Sequence, residues 1–187
     1  MKKIAIVYNN MDNSSAITHI EQEIEKVFAG EVMLDHYYID QMKAGDHITA
    51  DAILLNGQQL LTTVRPYIQE TKNMIVLTRS ISKKHLTELL QIPKNENVLL
   101  VNDSEVSTME TLYMFYELGI FHFNLIPFNE NDYAAGAYKN ISYAITPNEV
   151  ELVPKEVSHV IDIGYREIGF DTLVRLADIL QLNSETL

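Results

Sequence analysis

The apolar positions of this 187-residue chain follow two alternating rhythms. Short runs of β-branched and other apolar residues, continuous rather than alternating, read as strands buried on both faces. They are KKIAIVY (2–8), EVMLDHYYI (31–39), DAILLN (51–56), NMIVLT (73–78) and NVLLVN (97–102), then HFNLIPF (122–128), KNISYAIT (139–146) and HVIDIG (159–164). Between them the period lengthens to that of a helix. Ala16, Ile17, Ile20, Ile24, Val27 and Phe28 keep helical spacing until Gly30 ends it. Residues 57–70 predict a helix that Pro66 kinks or splits, and residues 80–93 a short one stopped by Pro93. Ser104 to Leu118 predicts a longer helix, with Ser107 and Glu110 in capping-box spacing and Gly119 at the C-terminal stop. The last helix, 171–182, is amphipathic, with Asp171 as its N-cap. Its face of Leu173, Leu176, Ala177 and Leu180 suits packing on the protein's own sheet or, less readily, pairing with a second copy.

Strands alternating with helices predict an α/β fold of two flavodoxin-like (Rossmann-like) lobes, with mainly parallel sheets and a C-terminal amphipathic helix. The stretches IAIVYNNMDNSSA and NVLLVNDSEVSTM echo one another, each running from an apolar strand through Asn and Asp into Ser and a helix. The expected lobes are 1–90 and 91–187, the join lying within 79–96, with the last strand and helix able to return to the first lobe.

Composition narrows the function. With 47% hydrophobic and 21% charged residues the chain has material for a core. A net charge of -12, from 14 Lys+Arg against 26 Asp+Glu, argues against direct nucleic-acid binding, which depends on neutralising phosphates. The absence of cysteine excludes disulfides and thiolate chemistry and fits a reducing compartment. The apolar start is too short for a signal peptide. The most apolar later stretch, LYMFYELGIFHFNLIPF, is interrupted by Glu117, His122, Asn124 and Pro127. These features predict a cytoplasmic protein with no membrane partner.

Few catalytic signatures are present. The loop YNNMDNSSA (8–16) stands where a phosphate or flavin sits in many α/β proteins, yet it has no glycine to turn several N–H groups on one anion, and Asp12 would repel a phosphate. Capping by Asn13, Ser14 or Ser15 explains it, with a ligand contact as the alternative. No GxGxxG is present, and GYREIG (164–169) is followed by Phe-Asp rather than Lys-Ser/Thr, so neither a dinucleotide nor a P-loop nucleotide is expected. The histidines at 19, 36, 47, 85, 122 and 159 form no HxH or HExxH pair, no GxSxG elbow occurs, and Asp103, with no DxD, reads as a helix cap. No catalytic residue, metal or cofactor is assigned. What remains is a convergence of polar strand ends: Asn9 and Asn10, Asn56 with Gly57, Thr78 with Arg79, and Asn102 with Asp103 and Ser104. In open α/β sheets such positions line the ligand crevice, and amides and hydroxyls there suit recognition more than acid–base chemistry. Ordinary strand-end loops are the alternative.

Two later stretches, YAITPNEVELVP (143–154) and VIDIGYREIGFDTLVRLADIL (160–180), are more distinctive. Through Thr146, Pro147, Glu149, Pro154, Gly164 and Arg166 they resemble the N-terminal effector-sensing region of bacterial sigma-54-dependent transcriptional regulators related to the propionate catabolism activator. The similarity spans residues 120–182, and the first hundred residues share only the order of elements. The resemblance implies a two-lobed sensor that closes on a small molecule, an organic acid being one candidate. It also implies signalling to a PAS or ATPase domain and a DNA-binding helix-turn-helix outside this segment; a homodimer is expected. It adds Thr146, Glu149 and Arg166 to the ligand set. The planar fork of Arg166 suits a carboxylate or phosphate, or a local acid such as Asp162 or Glu149. Two other readings stay open: a stand-alone flavodoxin-like enzyme of flavin or sugar-phosphate chemistry, and an interaction module without a ligand.

Overall fold

The structure is a computed structural model and describes residues 1–12 and 14–182. In chain order its elements are β1 (Lys2–Tyr8), α1 (Ser14–Phe28), β2 (Val32–Tyr38), β3 (Ala52–Leu55), α2 (Leu60–Thr63), β4 (Met74–Val76), β5 (Arg79–Ser80) and α3 (Lys83–Leu89). There follow β6 (Asn97–Leu100), α4 (Glu105–Glu117), β7 (Asn124–Pro127), α5 (Glu130–Ala134), β8 (Tyr143–Thr146), β9 (His159–Asp162), β10 (Glu167–Ile168) and α6 (Phe170–Leu180). The protein is α/β, with two four-stranded sheets whose pairings are all parallel.

The chain divides into two compact units: residues up to Arg79 together with those from Glu167 onward, and Ser80–Arg166. The first sheet has the order β2-β1-β3-β4 and the second β7-β6-β8-β9. Each therefore places its strands second, first, third, fourth, so the echo between residues 4–16 and 97–109 extends to topology. In each, the chain reverses its direction of winding between the first and third strands, where open α/β sheets bind ligands.

The helix after the fourth strand does not stay with that strand's unit. In the second unit, α3 follows the crossing at Arg79–Ser80, and Ile81, Leu89 and Ile92 join Val98, Leu100, Met114 and Phe115 in one core. In the first unit, α6 brings Leu173, Leu176, Ala177 and Leu180 against Ile4, Ile6, Leu54 and Ile75, beside Ile20, Ile24 and Phe28 of α1. The apolar face of α6 thus packs on the protein's own sheet, and burying each of its leucines stabilises the unit by roughly 1.5–3 kcal/mol. The opposite faces are closed by Leu60 and Val64 in the first unit and by Val153 with Tyr138 and Ile141 in the second.

Several local expectations need correction. Residues 57–70 form only α2 and a 3-10 turn at Arg65–Tyr67, because Pro66 lacks the N–H a continuous helix needs. The cap of α4 is Ser104, whose Oγ accepts the Ser107 N–H at 3.2 Å. Ser107 and Glu110 therefore form no capping box, and Asp103 lies before the cap. The cap of α6 is Gly169, without a side-chain bond. Asp171 sits in the first turn, where it accepts the Thr78 hydroxyl at 2.5 Å. Helix α5, unsignalled by periodicity, is capped by Asn129, whose Oδ1 accepts from the N–H groups of Asn131 and Asp132. Asn13 lies outside the described residues. Gly30 and Gly119 have φ of 81° and 71°, the left-handed conformation a helix exit requires. Among the described residues no helix is long and apolar enough to cross a membrane.

Candidate functional site

In the first unit the strand ends gather Asn9, Asn10, Asn56, Thr78 and Arg79, and most are engaged in holding the fold. Asn10 Oδ1 accepts the Asp12 N–H, and the Asn9 carbonyl accepts the Asp40 N–H. Thr78 is tied to α6: its N–H donates to Thr172 Oγ1 at 3.0 Å, and its hydroxyl meets Asp171 and Thr172. Arg79 Nη2 donates to Asn56 Oδ1 at 2.6 Å, a short charge-assisted bond. The Tyr8 phenol is pushed above its ordinary range, chiefly by burial and then by the Glu21 carboxylate.

In the second unit the equivalent positions gather Asn102, Ser104, Thr146, Glu149 and Arg166. Asn102 Nδ2 donates to Thr111 Oγ1 at 2.9 Å, which fixes the strand end against α4. Ser104 is spent on the cap. Thr146 is fully buried, and its hydroxyl has no partner among the described residues. The backbone shows which residues correspond. The Leu77 N–H donates to the Leu55 carbonyl at 2.8 Å and the Ile163 N–H to the Thr146 carbonyl at 2.9 Å. Leu55 and Thr146 are therefore equivalent, and so are the residues that follow them, Asn56 and Pro147.

That replacement changes the arginine's surroundings. Proline offers no side-chain acceptor, and Arg166 turns instead to carboxylates. Its Nη1 lies 3.5 Å from Glu110 Oε2, an ion-pair distance, but among the described residues the atom makes no hydrogen bond, and it is sealed from solvent. Burial lowers the affinity of the guanidinium for its proton, while Glu110, Glu149 and Asp103 raise it; an arginine there keeps its charge. Glu149 follows β8 and is pushed up to about 7. Burial is the main cause, the Asp103 carboxylate adds to it, and an Asp103 backbone bond and Arg166 oppose it. Its Oε2 is sealed like Arg166 Nη1 and, among the described residues, has no hydrogen-bond partner. The local partner expected for Arg166, Asp162, is engaged elsewhere, since its Oδ1 accepts the N–H groups of Asn148 and Gly164 at 2.8 Å each.

Beside this cluster a cavity of about 590 Å³ opens at the carboxyl ends of β6 and β7. Residues 102–105 form one wall, 127–131 the other, and Thr108, Met109 and Leu152 complete it. Asp103 belongs to both cavity and cluster. The volume is in the range of small-molecule sites. Among the described residues no group of His, Asp and Glu is arranged to hold a metal ion.

The ten residues expected to bind ligand thus fall into two sets of five, one in each unit. Reasoning from sequence missed Glu110, read as half of a capping box, and the wall from Asn129 to Asn131, which lies in a helix too short to show a period. The Asn-rich run after a strand was the available signal for that wall. Comparison with models of known protein families and with characterised protein sequences finds no match to this chain.

Proposed function

We propose that the chain is a small-molecule-sensing regulatory domain of a bacterial transcriptional regulator. A polar effector binds at the carboxyl ends of the strands, and its binding shifts the population of arrangements of the two units and so the signal passed to ATPase and DNA-binding domains of the same regulator. The observation that carries this reading is the 590 Å³ cavity at the strand ends of the second unit, joined through Asp103 to the partly buried Arg166 and Glu149. The resemblance at Thr146, Pro147, Glu149, Pro154, Gly164 and Arg166 supports it. So does the chemistry of the lining, in which amides and hydroxyls recognise a ligand without activating it. A cytoplasmic homodimer belongs to the same reading.

Limited proteolysis and small-angle scattering with and without a panel of polar metabolites test it. Protection of the chain crossings near residues 79–80 and 166–167, with a change in radius of gyration on binding, is the expected result. A ligand that binds and changes neither overturns the sensing role. A coding sequence that joins this segment to neither a GxxxxGK ATPase nor a helix-turn-helix overturns the regulator.

Glu149 favours one second reading. A carboxyl group poised at about 7 beside a guanidinium can exchange a proton near neutral pH, as a stand-alone isomerase of sugar-phosphate type requires. Turnover of a sugar phosphate, abolished by Glu149→Gln, would select it.

A further inference from the structure

Resting on the proposal that the strand-end cavity of the second unit holds the effector, we propose that this effector is a neutral polyhydroxyl compound of the sugar or alditol class. The charge of the lining excludes the obvious competitors. Asp103, Glu105 and Glu130 contribute three carboxylates, and no lysine, arginine or histidine lines the cavity among the described residues. An organic acid or phosphate would enter against all three. The one nearby guanidinium is already faced by Glu110, Glu149 and Asp103.

A purely cationic ligand fits no better. The amides of Asn102, Asn129 and Asn131 present donors as well as acceptors, and a cation can use only acceptors. The cavity also lies at the start of α4, whose first-turn N–H groups carry partial positive charge. A hydroxyl group serves both sides, since it donates to a carboxylate or amide oxygen and accepts from an amide N–H. Several hydroxyls on one carbon frame can meet this mixed lining without bringing in a charge. Phe128 and Met109 supply the apolar surface on which the C–H face of such a compound rests.

Comparison with the first unit supports the assignment. There Asn56 takes up the arginine fork of Arg79 at 2.6 Å. In the second unit Pro147 stands at that position and offers no side-chain acceptor, and Arg166 pairs instead with Glu110 at 3.5 Å, so its charge is already met by a carboxylate of the protein.

Titration calorimetry on the whole chain tests the proposal, with glucose, ribose and mannitol as neutral probes, gluconate and glucose 6-phosphate as anions, and glucosamine as the cation. At least one neutral probe is expected to bind at least about tenfold more tightly than its charged counterparts, with Asp103→Asn weakening it about tenfold, the scale of a hydrogen bond to a charged group, and Asn131→Ala about fivefold, that of a neutral one. Both residues lie on the surface, and circular dichroism checks that the variants fold. Tighter binding of an anion, binding of glucosamine alone, no binding by any probe, or binding indifferent to both variants overturns the proposal. An anion that binds and shifts the scattering profile leaves the sensor standing while the ligand class falls. A neutral probe that binds without shifting it does the reverse.

Discussion

Arg79 and Arg166 hold matching places before the next helix in the two units. Each follows the fourth strand of its sheet, stands two residues before an isoleucine that is 4% exposed, Ile81 or Ile168, and three before the N-cap of the next helix, Ser82 or Gly169. Counted from the strand ladder they differ by one, three residues after Val76 and four after Asp162, so the two arginines compare in setting rather than in backbone position. One is bound by an amide, the other is held among carboxylates. The echo between the two halves of the sequence becomes, in the structure, a repeated topology carrying divergent sites.

Asn56→Ala removes the 2.6 Å acceptor from Arg79. The bond is short and charge-assisted, so the first unit is expected to lose ~1.5–3 kcal/mol of stability. Calorimetric unfolding of the variant against wild type measures it, and an unchanged midpoint would mean that the pair contributes nothing.

The exchange of helices makes α6 part of the first unit's core. Leu176 is fully buried there, and Leu176→Ala is expected to cost ~2–5 kcal/mol. Val174 on the same helix is 38% exposed, and Val174→Ala should stay within ~0.5 kcal/mol. Urea denaturation of the two variants side by side separates packing from helix propensity.

Glu149 sets a pH dependence. Its folded-state value, about 7, lies above the ordinary carboxyl value of 4.5, so between these limits the native state binds more protons than the unfolded chain. The contribution of Glu149 to stability is therefore fully present below about 4.5, falls as pH rises, and is lost by about 7. The charges facing Glu149 are Asp103, Glu151 and Arg166. Glu149→Gln removes the titration, so its melting temperature should fall less than that of wild type between these limits. Parallel slopes for the two proteins would refute the assignment.

Gly119 closes α4 at φ 71°, and a Cβ there would meet nothing within 4 Å. The cost of Gly119→Ala is then conformational alone, about 1 kcal/mol. Gly119→Asn should cost less, because asparagine tolerates the left-handed region. Equal midpoints for both variants and wild type would show that the helix end relaxes without it.

The determinants of the fold that act locally were legible in the chain. The continuous apolar run of Ile4 to Val7 and the spacing of Ile20, Ile24 and Phe28 state a doubly covered parallel strand and its helix, because burial on one face imposes its period on neighbouring residues. The polar ends of the strands were legible for the same reason: Asn9, Asn56 and Asn102 each interrupt an apolar run. Only the tertiary structure decided which unit receives each crossing helix, because the apolar faces of α3 and α6 say that they are covered and not by which sheet. The same holds for Arg166. Arg166 lies between β9 and β10 while its partner Glu110 lies far away in sequence on α4, and a charge pair that is made by the topology leaves no local trace. The cavity wall at Phe128 to Asn131 depends likewise on where β7 ends beside β6, a parallel register settled by long-range pairing.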